Sequence, residues 1–247
     1  MSTDGAIASV KNRAVVAAVK LHRARNRRAE NKTLIEGPTT LAEAVQTGHL
    51  VHEVFGSDDT AQSLAQEAGS VFHRVTDEVL QHVADTETAR GPVAVIAIPE
   101  PVIPADRRLL VVWGVSDPGN CGTLLRTAAA FGYGYVAGPE SADSWSPKVL
   151  RSAAGGHFRT TVGRTEAVAD LGRREVVGTV PRGGRAAGRL SNHAAIVVGS
   201  EAHGLPPEVL ERCDRLVSIP MPGGSESLNA AVAGAIVAYI GTMGTED

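Results

Sequence analysis

Leu109-Leu-Val-Val-Trp-Gly-Val-Ser-Asp-Pro-Gly-Asn-Cys-Gly-Thr-Leu-Leu-Arg-Thr-Ala-Ala-Ala-Phe-Gly132 joins an apolar run, a breaker and an amphipathic segment in succession. The unbroken apolar run 109–115 reads as a strand covered on both faces, the habit of a parallel sheet. Asp117-Pro-Gly breaks it, and 120–131 then reads as a helix with Gly132 as its C-cap. At 100° per residue, Cys121, Leu124, Leu125, Ala128 and Phe131 fall on one side. Asn120, Thr123, Arg126 and Thr127 fall on the other. One strong cation thus sits inside a helix whose first turn is rich in amide and hydroxyl groups. Taken alone, that side reads first as the solvated face of an ordinary amphipathic helix.

The same alternation continues outward. Strands are expected at 133–137, 175–179, 194–199 and 216–219, and helices at 147–153, 166–171, 207–212 and 228–240. This makes an α/β domain with a mainly parallel sheet. Upstream, 11–30 reads as one helix carrying Val15, Val16 and Val19 on one side. Short strands follow at 33–36, 51–55, 71–75 and 91–98. Between them, Thr39 or Thr40 would cap a helix through Val45, 61–68 forms a helix ended by Gly69, and Thr76 caps 77–82. This is a second, smaller α/β layer. Pro99, Pro101 and Pro104 remove backbone donors between the two layers and mark an extended linker. The expected organisation is an N-terminal domain 1–98, a linker 99–106 and a second domain 107–247.

Bulk properties narrow the class. The chain has 247 residues and a net charge of −3, so no global basic field announces nucleic acid. The charge is uneven, however. Lys11, Arg13, Lys20, Arg23, Arg25, Arg27, Arg28 and Lys32 face a single acid, Glu30, which suggests an anionic partner at that end. Cys121 and Cys213 are the only cysteines, too few for a disulfide framework or a cysteine-rich zinc site. The first residues lack the basic start and apolar core of a signal peptide, and no apolar run is long enough to span a bilayer. A cytoplasmic protein, with no membrane and no metal, is the expectation.

Two further segments place glycines and polar residues where a buried element ends. Ile196-Val-Val-Gly199 is a strand that opens into Ser200-Glu201-Ala202-His203-Gly204. Ligands of open α/β sheets bind beyond such carboxyl ends, and Gly199 and Gly204 let backbone approach closely. A polar loop with turn glycines and a solvated Glu is the plainer reading. Ile219-Pro-Met-Pro-Gly-Gly-Ser-Glu-Ser-Leu-Asn229 leads into a helix of small residues, with Ser225 or Ser227 as candidate caps. A capped core helix explains most of it, but not the amide of Asn229 at the start of an otherwise apolar helix. Gly132-Tyr-Gly-Tyr-Val-Ala137 mimics a dinucleotide fingerprint but follows a helix and enters a strand, the wrong context. Walker, His-Glu-x-x-His and Gly-x-Ser-x-Gly motifs are absent from the sequence.

Together the three segments resemble, almost position for position, the signature motifs of the SpoU family of RNA ribose 2′-O-methyltransferases, within the SPOUT superfamily. The match covers about 109–240. The stretch Arg27-Arg-Ala-Glu-Asn-Lys-Thr-Leu-Ile-Glu-Gly-Pro38 also resembles the ribosomal-protein-like substrate domain that many members carry. Ala202 and Ala230 depart from the family, which often has Gly and Val there. The resemblance implies a trefoil-knotted catalytic domain, a homodimer, and S-adenosylmethionine (SAM) held by the knot. It implies that Gly199, Ile219 and Leu228 frame the adenosine, with Met221, Thr179 and Gly204 beside them. Asn120 and Arg126 would face the target ribose, and Glu201, Ser227 and Asn229 would complete the site. Arg23, Arg25, Arg27 and Arg28 are the expected RNA-binding residues. The substrate expected is structured RNA, 23S ribosomal RNA ahead of tRNA. A non-catalytic RNA-binding module with the same fold is the alternative, and a resistance methyltransferase is a further role known in the family. The proton acceptor stays open: the family's mechanism uses the residue at Arg126, and a guanidinium, which keeps its proton at physiological pH, is a reluctant base.

Overall fold

The computed structural model describes residues 5–86, 89, 91–224 and 226–243. Two compact units emerge: the first runs to Glu100 and includes Trp145–Pro147, and the second takes the remainder from Pro101.

In the first unit the elements run α1 (Arg13–Lys20), α2 (Ala24–Glu30), β1 (Lys32–Glu36), α3 (Pro38–Gln46), β2 (Val51–Gly56), α4 (Asp59–Glu67), β3 (Val71–Arg74), α5 (Asp77–Ala84) and β4 (Val93–Ala97). The sheet order is β1-β4-β2-β3, with β4 antiparallel to both neighbours and β2 parallel to β3. Val15, Leu21, Val79 and Val83 pack with Leu34, Phe55, Val93 and Val95 in one core. Ile35, Val54, Ala94 and Ile96, one residue out of phase along the strands, are buried too. That period of two follows from the pleat, with α3 and α4 lying against β1 and β2.

Several local expectations change. The basic segment forms two helices, α1 and α2, rather than one over 11–30. The break is sealed by side chains. Arg27 Nη1 donates to the carbonyls of Leu21 and His22, each at 2.8 Å, and Asn26 Nδ2 donates to that of Lys20 at 2.7 Å. These side chains satisfy carbonyls left over where α1 ends. Helix α3 starts at Gly37 with Pro38 at its first position, so neither Thr39 nor Thr40 caps it. Proline has no N–H to satisfy there and its φ suits the helix. Asp58, whose side chain accepts from the Ala61 N–H at 2.8 Å, starts α4 two residues before 61. Thr76 caps α5 as expected, and the helix runs on to Ala84.

The second unit runs β5 (Leu109–Val112), α6 (Pro118–Ala130), β6 (Gly134–Ala137), α7 (Pro147–Ala153), β7 (Val162–Arg164), β8 (Glu175–Thr179), β9 (Arg185–Ala186), β10 (Ala194–Val198), α8 (Pro207–Leu210), β11 (Arg215–Ser218) and α9 (Ala230–Thr242). The strand order β7-β6-β5-β10-β8-β11-β9 is parallel throughout. Both faces are covered. Leu110, Val112, Ile196 and Val198 pack with α6 and α9, while Leu109, Val111, Ala195 and Val197 pack with Val176, Leu205 and Val209. Each buried Val, Leu or Ile among them stabilises the fold by about 1.5–3 kcal/mol relative to exposure. The α6 face reads almost as expected: Cys121, Leu124, Leu125 and Ala128 are sealed and Arg126 is exposed. Thr127 departs, being buried with its hydroxyl donating to the Thr123 carbonyl at 2.8 Å. Strands β7 and β9 are too short for a periodic signal, and 166–171 holds only a 3₁₀ turn over Val168–Leu171. Gly234 lies where α9 crosses the sheet, and a Cβ there would come 2.5 Å from Leu124 Cδ2 and 3.0 Å from Val198 Cγ2. No helix among the described residues is long and apolar enough to cross a membrane.

Candidate functional site

Strands β8, β10 and β11 are neighbours or next neighbours in a parallel sheet, so their carboxyl ends open on one side, where such sheets hold ligands. A cavity of about 240 Å³ lies there. Thr179, Gly199, Gly204, Ile219, Met221 and Leu228 all line it, together with Glu201, Ser227 and Asn229. Apolar side chains of Val198, Val217, Ala233 and Val237 complete the lining. Val180, Pro181 and Ser218 line it too and were missed by the sequence reading, although they follow strand ends, the signal that could have found them. The Thr179 hydroxyl is spent on the Val197 carbonyl at 3.1 Å, so its place is fixed by the sheet.

Gly199 serves the loop rather than leaving room for a ligand. A Cβ there would lie 2.4 Å from the Gly204 carbonyl carbon and 2.6 Å from the Leu205 nitrogen. The loop doubles back so tightly that Ser200 and Gly204 exchange backbone hydrogen bonds of 3.2 and 2.9 Å. Gly204 turns it at φ +66°, which glycine adopts without steric cost. This turn carries Glu201 out over the cavity mouth.

Three residues from three separate motifs join in one hydrogen-bonded chain that ends on Glu201. Asp117 caps α6, its carboxylate accepting from the Asn120 N–H at 2.8 Å, which fixes the helix start beside the loop. Asn120 Nδ2 donates to Glu201 Oε1, and Asn229 Nδ2 donates to Asn120 Oδ1 at 3.0 Å. Asn229 Oδ1 in turn accepts from the Ala231 and Val232 N–H groups at 2.9 and 3.2 Å. Asn229 is therefore the N-cap of α9. Ser227 is not, and Ser225 lies outside the described residues. Each amide has both ends engaged, so neither side chain can flip without losing a bond. The relay holds one carboxylate oxygen of Glu201 and leaves the other open.

Arg126 stands apart. It is exposed on α6, does not line the cavity, and makes no hydrogen bond or ion pair among the described residues. Six residues past Asn120, it sits about 240° further round the helix. Cys121, on the buried side of α6, has its thiol pKa pushed up by burial and donates to the Val115 carbonyl, so it is no nucleophile. In the first unit Arg23, Arg25 and Arg28 are exposed, but Arg27 is 3% exposed and held by carbonyls. It is thus a structural residue rather than a surface cation, and the expectation that it touches RNA is corrected.

The cavity suits SAM on its own terms. Its walls are mainly apolar side chains and strand-end backbone, as a flat adenine needs, and among the described residues Glu201 is the single charged side chain lining it, the right sign for a sulfonium. Among the described residues no group of three His, Cys, Asp or Glu stands close enough to hold a metal.

Comparison with known proteins gives the chain its family. Residues 107–239 match the SpoU rRNA Methylase family, and residues 12–94 match the MRM3-like substrate binding domain. The 23S rRNA (guanosine(2553)-2′-O)-methyltransferase RlmP of Bacillus subtilis (strain 168) is 35% identical, the match covering 94% of this chain and 97% of the relative. A putative RNA methyltransferase of the TrmH family from Porphyromonas gingivalis superposes with a TM-score of 0.85 at 27% identity, over 94% of this chain and 98% of the other. The AdoMet-bound rRNA methyltransferase from Sinorhizobium meliloti shares the fold, with a TM-score of 0.88 at 22% identity over 98% of each chain. With more than half its length matched by the family and a relative of this similarity along nearly all of it, the chain belongs to the SpoU rRNA methylase family.

Proposed function

We propose that this protein transfers the methyl group of SAM to a ribose 2′-hydroxyl of 23S rRNA, with a guanosine, the nucleotide named for the Bacillus subtilis relative, as the target. The observation that carries the reading is the meeting of Asn120, Glu201 and Asn229 at the mouth of an apolar strand-end cavity. SAM bound there supplies an electrophilic methyl group on sulfur. Backbone at Gly199, Ile219 and Leu228 holds the adenosine, with Thr179, Met221 and Gly204 around it. The 2′-hydroxyl must shed its proton as it attacks. Among the described residues Glu201 is the one titratable side chain lining the cavity, and its open oxygen accepts that proton while Asn120 and Asn229 hold the carboxylate in place. Ser227, also in the lining, positions substrate.

Arg126 orients a phosphate of the substrate and reaches the site from a second copy of the chain. Two observations support this. Arg126 does not line the cavity of its own chain. Helix α9, packed on α6, exposes Val232 (47%), Tyr239 (53%) and, at its C-cap, Met243 (54%), and Phe131, the C-cap of α6, packs tilted against Tyr239 at 5.7 Å between ring centroids. The stripe follows the 3.6-residue period, and a two-fold homodimer buries it against its own copy. The reading also includes a trefoil knot. What supports it is that β11 lies near one sheet edge, yet the chain leaving it lines the same cavity as the 199–204 loop and returns as α9 onto β10 and α6. Residues 1–98 bind the RNA, 99–106 form the linker and 107–247 carry the chemistry, in the cytoplasm where ribosomes are made. The test is direct transfer of labelled methyl from SAM to 23S rRNA, recovered as a 2′-O-methylated nucleoside.

A further inference from the structure

A second concavity lies on the other side of the Ser200–Gly204 loop. It is a groove of about 930 Å³ within the second unit, at the carboxyl ends of β5, β6 and β7. Its lining shares Ser200, Glu201 and Gly204 with the cofactor cavity, so whatever fills it stands next to the Glu201 carboxylate. Nothing in the proposed chemistry has yet used it.

Two features say what it takes. The first is Trp113. This side chain is only 8% exposed, and its ring lies so flat on the end of β6 that a Cβ on Gly138 would come 2.7 Å from it. Its indole N–H nevertheless donates to no atom of the described residues and is not sealed from solvent. A tryptophan this buried ordinarily finds a partner for its N–H. The second is charge. Glu140, Glu166, Glu201 and Glu208 line the groove against one guanidinium, Arg212, and the exposed imidazole of His203. Glu166 is paired with Arg164 at 2.8 Å and Glu201 is held by Asn120. Glu140 and Glu208 make no hydrogen bond or ion pair among the described residues. Glu140 is moreover held at φ +58°, an uncommon conformation for a residue with a side chain.

A groove with this excess of carboxylates repels a phosphate backbone. It accepts a neutral group that offers N–H donors, with an acceptor beside them for the tryptophan. Guanine has that edge: N1–H and the 2-amino group point the same way and fit one carboxylate, and O6 lies next to them. Adenine lacks the N1–H. Uracil flanks its single N–H with two carbonyls that a carboxylate repels, and cytosine offers its amino group beside an acceptor nitrogen. Sequence-specific reading of RNA works on unstacked bases of this kind.

Resting on the 23S rRNA activity proposed above, we infer that the groove receives the base of the nucleotide being methylated and selects guanine: Trp113 donates to O6, and Glu140 or Glu208 accepts from N1–H and the 2-amino group. Placing the base there leaves its ribose at Glu201, beside the cofactor cavity.

The test uses the full chain and a 23S rRNA transcript whose methylated guanosine is replaced by inosine, which keeps O6 and N1–H and lacks the 2-amino group. Wild type should lose about tenfold in kcat/KM on inosine, the usual scale of a hydrogen bond to a charged group. The Glu140→Gln/Glu208→Gln double variant should lose at least that on guanosine and no longer distinguish the two. Trp113→Phe, which keeps a ring in the core, should lower kcat/KM on both transcripts about equally. SAM affinity by calorimetry should stay unchanged in every variant, which also reports that they fold. Methylation with a wild-type preference for guanosine over inosine in the double variant would overturn the inference while leaving the activity intact. So would an Arg-rich peptide that binds the groove and is lost in the double variant without any change in RNA kinetics, which would assign the groove to a protein partner. Failure of the wild-type protein to methylate any rRNA would sink the proposed activity and this inference with it.

Discussion

Glu201 is an exposed side chain that is nevertheless fixed, because an amide relay from two other motifs ends on one of its oxygens. Glu201→Gln keeps the shape and the Asn120 contact but removes the proton acceptor. We expect kcat to fall by roughly 10²–10⁴, with SAM affinity by calorimetry within about twofold of wild type. Retained turnover in a SAM-binding Glu201→Gln variant would take the base role from this residue. The residues of the site were legible because each ends a buried strand or opens a helix. Their partnerships were not. Nothing in the spacing of Asn120, Glu201 and Asn229 says that one accepts from another, since the contacts depend on how three distant loops converge. Gly199 shows the same limit. A glycine after an apolar strand signals close approach, but only the structure shows that what approaches is the backbone of Gly204 and Leu205.

Helices α6 and α9 meet through Gly234 and Leu124, and each opens with a side-chain cap that also serves the site. Removing the Asn229 cap costs about 1 kcal/mol of stability and also frees Asn120. The apolar stripe Val232, Tyr239 and Met243 is the element-scale basis for the proposed dimer, and the place of Arg126 makes it testable. If each site takes Arg126 from the other copy, Arg126→Ala and Glu201→Gln should each be inactive as pure proteins. Unfolding and refolding them together in equal amounts should restore about a quarter of wild-type sites, because half the dimers are mixed and each of those carries one intact site of two. No recovery in mixtures shown to contain mixed dimers would put Arg126 in its own chain's site. Helix boundaries were read to within a few residues where a cap announced them, as at Thr76. The split between α1 and α2 escaped notice because Arg27 lies in a basic run, and a run of charges reads as a solvated face. The bonds to the carbonyls of Leu21 and His22, which no charge pattern announces, explain its burial.

At the scale of the molecule, a near-neutral chain has to find a polyanion. The exposed cations of the first unit, Arg23, Arg25 and Arg28, are the proposed contact. Replacing all three with Gln should weaken RNA binding and reduce the slope of log affinity against log salt by about two to three, as fewer counterions are released. SAM binding should not change. An unchanged slope and affinity would place the RNA on another surface. The parallel sheet was readable from its unbroken apolar strands. Its order was not, since a covered strand carries no mark of its neighbours. The central claim is ribose methylation of 23S rRNA, and the measurement that meets it most directly is a nucleotide-resolution map of 2′-O-methylation in 23S rRNA from cells with and without the gene, followed by treatment of the unmodified rRNA with purified protein and SAM. The account predicts one guanosine that is methylated only when the gene is present, and restored in vitro by wild-type protein but not by Glu201→Gln. Identical maps from the two cells, with no methyl group transferred to the rRNA in vitro, would contradict it.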